Sequence, residues 1–187
     1  WSGTVPGDIK FKDINNDGKI TADDRVRRTK NAEPRFVGGF NVNLRYKNFD
    51  LMALFQGALG AETYIQTWSG TVGNYLKDFY DKRWTTENPN VEHPRAYERE
   101  NQYWISNWNT YFIRSCDYLR LKNMELGYNI TLPALKNAGI SNARIYVNAT
   151  NIFTIDKLKV ADPEADSKDI TSYPQRRVVN FGVSLTF

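Results

Sequence analysis

The stretch Val179-Asn180-Phe181-Gly182-Val183-Ser184-Leu185-Thr186-Phe187 decides the fold, because each odd-numbered residue is apolar and each even-numbered one is small or polar. A period of two places the apolar set on one face of an extended strand. A soluble strand lying on a core would read the same way, so the preceding segments have to arbitrate. From Phe36 to Tyr46, the residues Phe40, Val42, Leu44 and Tyr46 alternate with Asn41, Asn43 and Arg45. After the two-residue turn Lys47-Asn48, the residues Phe49, Leu51, Ala53 and Phe55 alternate with Asp50, Met52, Leu54 and Gln56, which predicts a tight hairpin. From Tyr118 to Tyr128 the phase breaks, with Leu119 and Leu121 on one face and Met124, Leu126 and Tyr128 on the other. A β-bulge near Lys122-Asn123 would restore one apolar face. Between Arg144 and Phe153, Ile145, Val147 and Ala149 alternate with Arg144, Tyr146 and Asn148, completing five antiparallel strands.

Composition narrows the classes. Residues are 41% hydrophobic with a mean hydropathy of −0.60. No run approaches the ~18 apolar residues of a membrane helix. A transmembrane barrel is not excluded, because its strands average lipid-facing and lumen-facing residues. The 25 basic and 21 acidic residues are interspersed, and the one tight basic run, Arg25, Arg27, Arg28 and Lys30, follows an acidic loop. That balance argues against a nucleic-acid partner despite the net charge of +4. A lone His93 and a lone Cys116 argue against a Cys/His nucleophile pair and against a histidine-based zinc site. There is also no nucleophile elbow and no phosphate loop, so no catalytic residue is expected and the chain does not read as an enzyme.

The connections alternate in length. Lys47-Asn48 is minimal and Ile130 to Asn142 modest, whereas Gly60 to Asp117 and Asp156 to Arg176 are long. Outer-membrane barrels join strands by short periplasmic turns and long extracellular loops. With Phe187 at the periplasmic end, 60–117 and 156–176 fall outside the cell, as do residues 1–35. Five strands cannot close a barrel, since the smallest single-chain examples have about eight. Open edges in lipid are prohibitively costly, so the chain is expected to be part of a larger protein. It opens at Trp1 without an initiator methionine or signal peptide, and an exported protein is expected to have further sequence upstream.

In order along the chain stand Pro6-Gly7-Asp8-Ile9-Lys10-Phe11-Lys12-Asp13, Asn15-Asn16-Asp17-Gly18-Lys19-Ile20, Pro34-Arg35-Phe36, Gly38-Gly39-Phe40, Asn48-Phe49-Asp50-Leu51 and Phe55-Gln56-Gly57. Tyr118-Leu119-Arg120-Leu121-Lys122-Asn123, Leu126-Gly127-Tyr128, Ala149-Thr150-Asn151-Ile152-Phe153 and the terminal Phe181 to Phe187 follow. This ordered set resembles the C-terminal end of the SusC/RagA family of TonB-dependent outer-membrane transporters. The resemblance implies an all-β fold: the C-terminal strands of a large transmembrane antiparallel barrel of about 22 strands. It further implies a plug domain, a SusD/RagB-like surface lipoprotein as lid, energy from the TonB complex through N-terminal parts, and import of oligosaccharides or peptides. Residues 1–35 would form an extracellular loop, and 36–187 the C-terminal strands with their loops, set against outer-membrane lipid.

Asp13, Asn15, Asp17, Lys19 and Asp24, with Gly18 between them, match the spacing of a twelve-residue calcium loop; Lys19 would contribute its carbonyl. Asp24 replaces the usual glutamate, and the competing reading is an Asx-rich turn. The ion would be structural. The long connection is rich in aromatics, and Trp68, Trp84, Trp104 and Trp108 are candidates for contact with substrate or partner, against the reading that the rings pack on one another. The terminal Phe187 is expected to act as an assembly signal. A second class stays open: a secreted calcium-binding β-sandwich module for glycans or protein.

Overall fold

A computed structural model of the chain describes residues 4–65, 77–96, 107–165, 173 and 175–187. Strand β1 (Phe36–Tyr46) turns at Lys47-Asn48 into β2 (Phe49–Leu59), with Tyr46 paired to Phe49. Lys47 takes a positive φ of 54°, as hairpin turns matched to strand twist require at their first central residue. The long connection that follows carries β3 (Glu62–Tyr64), the short helix α1 (Lys77–Lys82) and β4 (Ile113–Ser115); β3 and β4 pair as a two-stranded sheet. Then come β5 (Tyr118–Ile130), helix α2 (Pro133–Asn137), β6 (Asn142–Asp156) and β7 (Val178–Thr186). The main sheet has the order β1-β2-β5-β6-β7 and is antiparallel throughout.

Register turns the strand-by-strand alternation into rows. Tyr46, Phe49, Tyr128, Ile145 and Val183 lie side by side across all five strands; Leu44, Leu51, Leu126, Val147 and Phe181 form the next apolar row, and Val42, Ala53, Met124, Ala149 and Val179 the third. Between them run polar rows, such as Arg45, Asp50, Gly127, Tyr146 and Gly182. The apolar face is uncovered: Phe181 is 84% exposed, and Leu44, Val42's neighbour in the pattern, is also exposed. A sandwich would bury such a face against a second sheet. The band from Phe49 to Leu59 spans about ten steps of ~3.3 Å, or ~25 Å at a tilt of ~40°, which matches the apolar band of an outer-membrane barrel.

The phase break resolves as the sequence predicts. Leu54 pairs with Asn123 but Phe55 pairs with Leu121, leaving Lys122 as the extra residue. The same irregularity appears against β6, where Asn151 adopts a φ of 52°. The bulge returns Leu119 and Leu121 to the apolar face and turns Lys122 toward polar partners. At the terminal strand, a Cβ on Gly182 would lie 2.3 Å from Tyr146, so the tyrosine ring lies over this glycine.

The chain divides into two compact units. The sheet belongs to the unit formed by Lys30–Thr63, Ser115–Asp166 and Ser172–Phe187. The other comprises Trp1–Thr29, Tyr64–Arg114 and Ser167–Thr171. Its core is Phe79 and Phe112, with Ile9, Phe11, Tyr64 and Tyr111 packed around them. By packing, therefore, the N-terminal residues group with the long connection, a pairing no periodicity announces.

Candidate functional site

The polar face of the sheet carries two charged clusters. Near the Lys47-Asn48 turn, Arg144 on β6 donates from Nε to Asp50 Oδ1 at 3.1 Å and from a terminal nitrogen to Glu125 Oε1 at 2.8 Å, with a further bond to Asp50 Oδ2. Asp50 lies on β2, with β5 intervening. Arg144 reaches it because Gly127 stands between: a Cβ there would fall 2.2 Å from the guanidinium. Asn129 completes the set by donating to Asp50 Oδ1 at 3.0 Å.

At the opposite end of the same face, Arg120 is only 3% exposed. Its guanidinium donates to Asp162 Oδ1 at 2.7 Å, to Glu164 Oε2 and, through Nε, to Thr154 Oγ1 at 2.8 Å. Lys122 Nζ reaches Glu164 Oε2 at 3.1 Å and Gln175 Oε1 at 2.9 Å, and the Tyr118 hydroxyl donates to Glu164 at 2.8 Å. Burial opposes ionisation of Asp162, but Arg120 and the backbone N–H groups of Glu164 and Gln175 prevail and hold its carboxyl below the usual range. Glu164 behaves alike: burial is outweighed by the Tyr118 hydroxyl, Lys122 and Arg120.

The acidic loop is a tight turn. Asp13 accepts from the N–H of Asn16 at 2.6 Å and Gly18 at 2.8 Å, Asn15 from Asp17 at 3.1 Å, and Asp17 from Lys19 at 2.8 Å. Asp24, in a 3₁₀ turn at Ala22–Asp24, accepts from Ile14 and Thr21, both at 2.7 Å. The Thr21 and Ile14 bonds lower its pKa. Gly18 has a φ of 79°, which the turn needs and glycine alone adopts freely. The donor set fits calcium in kind, being all oxygen, and each carboxylate retains lone pairs beyond the N–H bonds it accepts. Among the described residues, no three or more His, Cys, Asp or Glu side chains gather into a metal-holding group.

Of the four tryptophans singled out by the sequence, Trp68 and Trp104 lie outside the described residues. Trp84 is half-buried, and its ring occupies the space a Cβ on Gly7 would need, 2.6 Å away. Trp108 is 79% exposed, with its ring 4.3 Å from that of Tyr64. Phe187 is exposed beyond the end of β7. The sequence assigned His93 no role beyond arguing against a histidine-based metal site; it is buried in the loop unit with Nδ1 2.8 Å from the Tyr111 hydroxyl and Nε2 3.0 Å from Asp78. Lys82, 2.7 Å from Asp78, together with His93 holds the Asp78 carboxyl below its ordinary value. Arg95 binds Asp8 at 2.6 Å in the same unit. Arg120 stood in the sequence only as part of the Tyr118 to Asn123 motif and was given no role, although an arginine flanked by Leu119 and Leu121 in an alternating strand was a usable signal for a partner on the polar face.

No protein-family profile matches the chain. It is 32% identical over 199 residues to TonB-dependent receptor P3 of Formosa agariphila, covering 97% of this chain and 19% of that protein. TonB-dependent receptor P26 of the same organism is 30% identical over 200 residues, covering 98% of this chain and 20% of the relative. Among solved structures, the RagAB peptide transporter superposes with a TM-score of 0.71 at 26% identity, over 90% of this chain and 19% of that one. The RagAB peptide importer in its closed-closed state gives 0.70 at the same identity and coverage. The chain thus spans about a fifth of the length of the relatives it matches. The sheet is accordingly a section of an outer-membrane transporter barrel, its apolar face toward lipid and its polar face toward the lumen. The relatives are receptors and transporters rather than enzymes.

Proposed function

We propose, from the premise that this chain belongs to the SusC/RagA family of TonB-dependent outer-membrane transporters, that the whole protein imports oligosaccharides or peptides with a SusD/RagB-like lipoprotein as its lid. The observation that carries this reading is the five-strand sheet whose apolar rows are continuous, uncovered and ~25 Å tall, with both edges, among the described residues, open for further strands. Energy would come from the TonB complex, acting through parts of the protein outside this chain. In this reading the connections 60–117 and 156–176 face outward. Trp108 then offers an open aromatic face for a sugar ring or a lid residue, and Trp84 serves to fix the loop. A calcium ion held by Asp13, Asn15, Asp17, Asp24 and the Lys19 carbonyl would order the residues before β1 without taking part in transport.

The reading is tested by tagging the full-length protein in its own cells. A lipoprotein encoded beside it should co-purify from the outer membrane, and uptake of labelled oligosaccharides or peptides should cease when TonB is removed. Uptake unaffected by TonB, or a protein recovered from the outer membrane with no lipoprotein partner, would contradict it.

A further inference from the structure

An arginine that is 3% exposed on the lumen face of a barrel wall calls for an explanation, because that face borders water. The connection after β6 is what covers it. Asp162 and Glu164 meet Arg120 from one end of this connection, and Gln175 meets the same patch from the other: its backbone N–H donates to Asp162 at 3.1 Å, and its Nε2 to Glu164 at 2.6 Å. Leu158, at the start of the connection, is itself buried. Two cations, Arg120 and Lys122, face two anions, Asp162 and Glu164, so the patch is electrically balanced.

We propose that Arg120 is the positioning residue of a permanent latch, which holds residues 157–165 over the lumen face at the outer end of the wall and so fixes the width of the entry offered to solutes. The inference rests on the importer reading. The planar guanidinium is suited to the role, because its separate N–H groups serve two carboxylates and Thr154 at once. Swinging the segment away would leave charges on the wall and the segment without partners in a poorly hydrated site, so the segment stays seated whether or not a lid is open.

The test uses the full-length transporter in outer-membrane vesicles, comparing wild type with D162N/E164Q and R120K. In the wild type, the amides of residues 157–165 should exchange hydrogen slowly. In D162N/E164Q they should exchange about tenfold or more faster, with β5 and β6 unchanged, and in R120K at an intermediate rate, since a lysine cannot fork between two carboxylates. In cells, D162N/E164Q should raise the entry of long solutes relative to short ones. Wild-type amides in 157–165 that exchange as fast as open loop would overturn the latch. So would loosened exchange that leaves the ratio of long to short solutes unaltered. Should wild-type cells import no solute, the importer reading falls, and the exchange result still decides whether the segment is latched.

Discussion

The five-stranded sheet and the loop unit solve the same problem in opposite directions. Along the sheet, neighbours in sequence become neighbours in space, each ladder closing its own backbone hydrogen bonds, and the large apolar side chains point outward. In the loop unit, Phe79, Phe112 and Tyr111 turn inward, and partners come from far apart in sequence, as with Asp8 and Arg95. Lipid supplies an apolar surrounding to the first, which therefore needs no core of its own. The second buries its rings on one another, as a segment without a lipid-facing sheet must to remove them from water. Exposure of an apolar residue thus means opposite things in the two regions.

Truncating the loop core gives the largest expected effect and should separate the two regions. Phe112→Ala should destabilise the loop unit by about 3–5 kcal/mol. Proteolysis should then accelerate between residues 77 and 114, while the amount of heat-modifiable barrel stays constant; parallel loss of both would show that the regions do not stand apart. Next comes the sheet. Phe181→Arg should cost about 2–4 kcal/mol near the bilayer midplane and Val183→Arg somewhat less, whereas Asn180→Arg on the lumen face should be tolerated. Barrel yield in the outer membrane checks the contrast. Deleting Phe187 should slow assembly without altering the stability of barrel already formed.

The sheet was legible because its information is local. A period of two marks β1 and β7 nearly to the residue, and the phase slip at Lys122 announces its own bulge. What escaped was whatever depends on register or on distant partners. Arg144 reaches Asp50 only because Gly127 leaves room on the strand between, a relation that exists once three strands are aligned. Arg120 finds its carboxylates more than 40 residues downstream. The elements β3, β4 and α1 are too short to show any period, and His93 acquires its partners only when the loop unit folds.

Smaller effects sharpen the contrast further. Gly127→Ala should push the Arg144 guanidinium off its seat, at about 1–3 kcal/mol for the charges left poorly paired, read as a lowered denaturation midpoint of the barrel. For the patch around Arg120, Asp162 and Glu164 have lowered pKa values in the folded protein. The stability they contribute is therefore fully present above their unfolded values near ~4 and is lost as pH falls through the lowered folded values. Exchange protection of 157–165 should persist at pH ~5 and disappear in stronger acid. The smallest change is expected at the acidic loop: Asp13→Ala with Asp17→Ala should abolish binding of one calcium ion, measured by calorimetry, and increase proteolysis within residues 4–29 while the barrel is unaffected. Equal calcium binding by the double variant would leave the loop an ordinary turn.

The central claim is that one face of the sheet meets lipid and the other an aqueous lumen, and labelling along β7 tests it most directly. In full-length protein with Cys116→Ser, single cysteines placed in turn at positions 179 to 185 would be probed in membranes with a lipid-soluble quencher and a water-soluble thiol reagent. The account predicts strict alternation: 179, 181, 183 and 185 reached from lipid, and 180, 182 and 184 from water. Uniform access from water along the strand, or the opposite alternation, would contradict it.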